Sequence, residues 1–136
     1  MQDGLQNPTV LVGRILLGLL FVVSGFGKIG GFEATVGYIA SKGLPVPQIV
    51  AALTILLELG GGLLLVFGFF TRWTALVLAV FTLLAALIFH SFWAAAPAQF
   101  NAQFVNFMKN VSIAGGMLVL AAFGPGAISL DARRAA

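Results

Sequence analysis

Leu53-Thr54-Ile55-Leu56-Leu57-Glu58-Leu59-Gly60-Gly61-Gly62-Leu63-Leu64-Leu65-Val66-Phe67-Gly68-Phe69-Phe70 carries a single ionisable side chain, Glu58, in the middle of an apolar run. A run of this length approaches the roughly 20 apolar residues that a helix needs to cross a hydrocarbon core of about 30 Å. An acid near the midpoint of such a span costs a few kcal/mol unless it is paired, protonated or turned toward a polar cavity. Glu58 is therefore the first candidate functional residue, and its partners must be sought elsewhere in the chain.

The surrounding composition supports a membrane reading. Of the 136 residues, 60% are hydrophobic and 8% charged, with a mean hydropathy of +1.09, against the roughly 25% charged content of a soluble domain. Four spans with short connections account for the whole chain as a single membrane domain. The net charge of +3 comes from basic residues scattered singly, with no patch or stripe that would bind nucleic acid. Cysteine is absent, which removes disulfides, thiolate nucleophiles and iron–sulfur ligation. With one histidine and four acids dispersed along the chain, no metal cluster is expected. No Walker loop, dinucleotide fingerprint or nucleophile elbow is present, and Gly60-Gly61-Gly62 lies inside a span.

The predicted architecture is all-α, a four-transmembrane-helix bundle with spans at about 8–29, 47–70, 73–92 and 104–123. Asn7-Pro8 reads as the first helix start, with Asn7 as N-cap. The segment is too long for a cleaved signal peptide and lacks a basic region ahead of its apolar part. Gly30-Gly31 breaks the first helix. Phe32 to Lys42 then forms a short interfacial helix with Phe32, Val36, Ile39 and Ala40 on one side and Tyr38 at headgroup level. Pro45 and Pro47 start the second span. Thr71-Arg72-Trp73 is a tight turn into the third, Trp93 to Gln103 an uncharged loop, and Gly124-Pro125-Gly126 the stop of the fourth. Arg14, Arg72, Arg133 and Arg134 gather on the side of the termini and Lys28, Lys42 and Lys109 on the other, so the positive-inside rule favours cytoplasmic termini.

Helical spacing groups the polar positions into stripes: Arg14, Gly18, Phe21, Gly25 and Lys28 on the first span; Thr54, Glu58, Gly61, Gly62 and Leu65 on the second; Ala75, Ala79, Thr82, Ala86 and His90 on the third; Asn106, Lys109, Asn110 and Ile113 on the fourth. Small residues on such stripes are ordinary at membrane helix contacts. At about 1.5 Å per residue, Arg14 falls in the cytoplasmic third, Glu58 near the middle, and Lys28, His90 and Lys109 in the outer third. Because side chains lean toward the helix N-terminus, Glu58 should turn to Lys28, His90, Lys109 and Asn110 before Arg14. Its competing reading is a protonated or paired structural glutamate, with the cations snorkelling to the interfaces.

Gly13-Arg14-Ile15-Leu16-Leu17-Gly18, Phe21-Val22-Val23-Ser24-Gly25-Phe26-Gly27-Lys28, Gly43-Leu44-Pro45, Glu58 with its glycines, Gly68 to Arg72, Phe89-His90, and Gly124-Pro125-Gly126 to Ser129-Leu130-Asp131 together resemble the DoxX family of small bacterial inner-membrane proteins. The resemblance spans nearly the whole chain. It implies a four-helix inner-membrane protein, with members described as subunits of thiosulfate:quinone oxidoreductase or of membrane oxidoreductase complexes linked to redox stress. Arg14, Lys28, Glu58 and His90 fall on its motifs.

The resulting expectation is a membrane subunit of a redox complex that binds a quinone or another small amphiphile in a polar pocket. Glu58 and His90 are the candidate catalytic residues, and Arg14, Lys28, Lys109 and Asn110 the candidate ligand-binding ones. The chain has no intrinsic cofactor on this reading, so a soluble redox partner would deliver electrons; a homo-oligomer is a further expected assembly. The alternatives are a proton or anion carrier with an Arg14–Glu58–Lys28 relay, and a non-catalytic anchor for soluble redox enzymes. The topology is directly testable in a chain without cysteine: Ser41→Cys should react with an impermeant thiol reagent in intact cells, and labelling only after permeabilisation would reverse the assignment.

Overall fold

The computed structural model describes residues 2–136, with side chains from Gly4 onward. Its helices are α1 (Gln2–Gly30), α2 (Phe32–Ser41), α3 (Pro47–Ile55), α4 (Gly61–Phe67), α5 (Thr71–Phe89), α6 (Phe100–Phe123) and α7 (Leu130–Ala135). A π-helical turn, Leu56–Gly60, joins α3 to α4, so that the three pieces make one rod. Four helices are long and apolar enough to cross a membrane: Gly4–Gly30, Pro47–Phe67, Thr71–Ala94 and Pro97–Phe123. No strand occurs among the described residues.

Three boundaries differ from those expected. Thr71-Arg72-Trp73 is not the turn between the second and third spans: it is the first turn of α5, and the chain reverses before it through Gly68 and Phe70, both left-handed. Asn7 does not cap a helix, because α1 already runs from Gln2 and continues through Pro8; the Asn7 carboxamide oxygen instead accepts the Ala127 N–H at 3.0 Å. The expected loop from Trp93 to Gln103 is mostly helical, with short 3₁₀ turns at Phe92–Ala94 and Pro97–Gln99 and α6 starting at Phe100. Aromatic packing accounts for the extension. Phe92 meets Phe100, Phe104 and Phe107 edge-on at 5.1–5.8 Å between ring centres, which fixes the first turns of α6 against the connection.

Backbone packing is strongest between α5 and α6 and between α1 and α4. The second pair owes its closeness to glycine. A Cβ added at Gly62 would lie 2.7 Å from the Val22 nitrogen, and one at Gly25 would lie 2.7 Å from the Leu59 nitrogen. Only glycine allows that approach. The main core lies at the centre of the bundle and combines Phe21, Leu65, Leu78 and Met117 with alanines at 75, 79, 114 and 121. A smaller core under α2 joins Val36 and Ile39 to Ala51, with Phe32 and Phe89 beside them; Ala40, expected on the same face, is exposed.

One end of the bundle is sealed by its own polar groups. Arg14, 2% exposed, donates to the carbonyls of Pro125 at 2.8 Å, Ile128 at 3.0 Å and Val66 at 3.4 Å. Arg72 donates to the Ala121 carbonyl at 2.9 Å. Asp131 accepts the N–H groups of Phe70 and Thr71, both at 2.8 Å, at the start of α5, where free N–H groups and the helix dipole favour an anion. Arg134 lies 5.0 Å from the ring centres of Phe69 and Phe70. The first turns of α1, the turn before α5 and the C-terminal segment are thereby tied together.

Partial burial works against the charged form of Asp131, but the hydrogen bonds from Thr71 and Phe70 and the nearby Arg134 outweigh it and hold the carboxyl below its usual 3.8. A depressed value means that this carboxylate stabilises the fold fully above 3.8, and that the contribution fades as pH falls through the lower folded value. Replacing Asp131 by Ala should destabilise the protein by about 0.5–2 kcal/mol at neutral pH, as the loss of a helix cap does. In thermal melts the gap to wild type should narrow below the ordinary carboxylate range; a gap independent of pH would contradict this role.

Candidate functional site

At the opposite end the bundle is hollow. Glu58 sits in the middle of the π-helical turn, a geometry found mostly as single turns inside α-helices and frequently at functional sites. The close approach of Gly25 to Leu59 places Glu58 directly across from the C-terminal half of α1. There Lys28 Nζ donates to Glu58 Oε2 at 2.8 Å and to Ser24 Oγ at 2.6 Å. Ser24 in turn lies 3.3–3.4 Å from both carboxylate oxygens. The side chains of Lys28 and Glu58 are 29% and 9% exposed, so the acid is buried and its cation reaches outward. Pairing and hydrogen bonding offset the cost of placing this carboxylate at mid-span.

A continuous polar cleft surrounds the pair. Two adjoining cavities of about 280 and 330 Å³ share Ser24, Glu58, Phe81, Ala85, His90 and Asn110 in their walls. Toward α2 the lining adds Lys28, Thr35, Tyr38 and Thr54; toward α6 it adds Thr82, Asn106 and Lys109. Helix α2 roofs the cleft. Its Tyr38 hydroxyl donates to the Phe89 carbonyl at 3.2 Å, and the two rings lie 5.2 Å apart.

The structure thus gathers Glu58, Lys28, His90, Lys109 and Asn110 around one cleft. Of these, only Lys28 touches Glu58 directly. His90 follows the end of α5 and its Nδ1 lies 3.0 Å from Gln103 Oε1. Lys109 is exposed on α6 and has no carboxylate partner among the described residues. Arg14 is not brought to the cleft. It lies fourteen residues before Lys28 on α1, about 21 Å along the helix, and is used up in the carbonyl clamp at the sealed end.

Sequence reasoning did not place Ser24, Gln103 or Tyr38 at the site; Tyr38 was expected only at headgroup level. Ser24 could have been found, since it precedes Lys28 by one helical turn. Gln103 was hidden by the expected loop. Thr82 carries a further signal: it is 4% exposed, it lines the cleft, and its hydroxyl has no partner among the described residues. A buried hydroxyl without a partner is costly, which makes it a fitting donor for a bound molecule or water. No cluster of His, Asp and Glu able to hold a metal occurs among the described residues.

Comparison with known proteins agrees with this architecture. The family model described as DoxX matches residues 9–91. The chain is 49% identical to "Inner membrane protein YqjF" of Escherichia coli over 127 residues, 93% of this chain and 92% of that protein. It is 44% identical to "Inner membrane protein YphA" of the same organism over 131 residues, 96% and 94% of the two chains. A Bacillus subtilis protein named "Putative oxidoreductase CatD" is 34% identical over 115 residues, 83% of this chain and 80% of that one. No solved structure matches.

The ion pair at the cleft is open to a double-mutant cycle. Lys28→Met should leave the buried carboxylate of Glu58 with Ser24 alone, and combining it with Glu58→Gln should recover part of the loss. A coupling of about 0.5–3 kcal/mol is expected from thermal or denaturant unfolding in detergent; additive effects would show that the two side chains do not act together.

Proposed function

Because the chain belongs to the DoxX family and is a multi-pass inner-membrane protein, we propose that it is the membrane subunit of a redox complex and binds a quinone, or a similar small amphiphile, in the Glu58 cleft. The observation that carries this reading is the buried Glu58–Lys28–Ser24 cluster at the base of a cavity, where a structural ion pair alone would need no space beside it. The name of the Bacillus subtilis relative, which proposes an oxidoreductase, points the same way. Both termini face the cytoplasm on this reading, and the cleft lies toward the periplasm.

Each of the cleft's two cavities, about 280 and 330 Å³, is near the lower end of the roughly 300–1,000 Å³ of small-molecule sites, which suits one ring-sized head group. Its donors suit a pair of carbonyl oxygens: Asn110 and Lys109 on α6, His90 after α5, and the unpartnered Thr82 hydroxyl. When bound, the quinone would take up two electrons from a soluble redox enzyme and two protons. Glu58, ionised in its pair with Lys28, would relay one proton from Lys28 to the reduced ring through Oε1, Oε2 being held by Lys28, and Lys28, partly exposed, would be reprotonated from the aqueous side. His90, steadied by Gln103 and half-buried, would hold the second oxygen and pass the second proton to it from water.

A carrier with an Arg14–Glu58–Lys28 relay is less well supported, because the apolar core of Phe21, Leu65, Leu78 and Met117 stands between the clamp and the cleft. Equilibrium binding of a chainless benzoquinone and of its hydroquinone to the purified protein in lipid nanodiscs tests the proposal. Wild type should bind both, and Glu58→Gln should bind the hydroquinone, whose hydroxyl can donate to the carboxylate, about tenfold more weakly, the size expected for losing a hydrogen bond to a charged group. A wild type without affinity, or a Glu58→Gln variant with unchanged affinity for the hydroquinone, would defeat it.

A further inference from the structure

The Glu58 cleft has an apolar extension. Thr54, Phe81, Ala85 and Phe89 line both the cleft and an adjoining groove of about 300 Å³, whose other walls are Leu44, Val50, Leu53, Leu57, Leu84 and Ile88. Leu53 and Leu57 in turn line a further groove of about 580 Å³ with Leu56, Gly60, Gly61, Leu64, Trp73 and Val77. The two grooves form one channel between the second span and α5. It runs from Ala85 to Trp73, twelve residues along α5 or about 18 Å. Its walls face lipid, with Leu53, Leu84 and Trp73 all more than half exposed.

From this continuity we infer that the ligand of the cleft is a long-chain amphiphile that enters sideways from the bilayer, and that the channel between the second span and α5 holds its hydrocarbon chain. The inference rests on the preceding reading in one respect, that the cleft holds the ligand's polar head. Three features choose this occupant over a water-soluble molecule. The site is polar at one end and apolar along the rest, as an amphiphile is. Its watery end is roofed by α2 through Thr35, Tyr38 and Ile39. Beside the cleft the second span leaves room for a chain because α3 and α5 are not among the closely packed helix pairs; further along, where α4 packs on α5, the groove continues on the lipid-facing surface of that contact, over Leu64, Trp73 and Val77. Burial of a chain here brings no hydrophobic gain over lipid; selectivity comes from van der Waals contact with a fixed surface.

Gly60 offers a clean way to fill the channel. Its backbone is right-handed helical, and an added Cβ would meet nothing within 4 Å. Gly60→Leu, and independently the lipid-facing Leu53→Trp, should occupy the channel without reaching Glu58. The experiment compares a chainless benzoquinone with the same ring bearing a decyl chain, on the full chain in nanodiscs, with affinities corrected for partition into lipid. Wild type should prefer the decyl probe, and both variants should lose about tenfold in affinity for it while binding the chainless probe as before, since only packing contacts to the chain are removed. If the chainless probe binds wild type but the decyl probe binds no better, or both variants bind the decyl probe normally, the channel inference fails and the head-group site stands. If neither probe binds wild type, both fail.

Discussion

A glycine-dependent contact, backbone against backbone at Gly25 and Gly62, organises everything around Glu58. At these points α1 and the second span meet with no side chain between them. In a bilayer, where apolar surfaces gain nothing by leaving lipid, such close packing is a main source of helix association. It also fixes which polar groups can meet. With Leu59 pressed on Gly25, Glu58 faces Ser24 and Lys28 rather than lipid, and the π-helical turn at Leu56–Gly60 is the backbone adjustment that accommodates it. Any residue larger than glycine at position 25 or 62 would push the carboxylate away from its cation.

The two ends of the bundle use buried charge in opposite ways. At the sealed end, Arg14 gives three hydrogen bonds to backbone carbonyls and Asp131 accepts from two backbone N–H groups; each charged group closes off orphan polar groups of the turns around it, although Arg14 Nε and the Thr71 hydroxyl stay buried without a partner among the described residues. No cavity is needed there. At the hollow end, Glu58 has one cation, one hydroxyl and open space, while Lys109 and the Thr82 hydroxyl remain without partners among the described residues. Incomplete satisfaction next to a cavity is the physical mark of a binding site, since a ligand can supply the missing partners.

The spans, the interfacial helix and the inward stripes were legible in the sequence because hydropathy and helical spacing depend on side chains alone. On the second and third spans, Glu58, Gly61, Gly62, Leu65, Ala75, Ala79, Thr82 and Ala86 are all buried, as their spacing requires. The lean of Glu58 toward Lys28 rather than Arg14 also followed from span direction and depth. The π-helical turn was not legible, since its residues have ordinary helix-forming character and only packing against α1 reveals the extra residue. On the fourth span, Asn106 and Lys109 shared a stripe but lie exposed on α6, because α6 packs on α5 and touches α1 little, which leaves their face open to the cleft. Gln103 was lost with the expected loop, which only the Phe92 contacts turn into helix.

A molecule held between a buried ion pair and a lipid-facing channel should survive gentle extraction from the membrane. Native mass spectrometry of the protein released from its own membrane tests this most directly. A lipid-soluble molecule of defined mass, bound to wild type and lost from Glu58→Gln, is the predicted result; a wild-type chain that emerges bare, or carries the same molecule as the variant, would contradict the account.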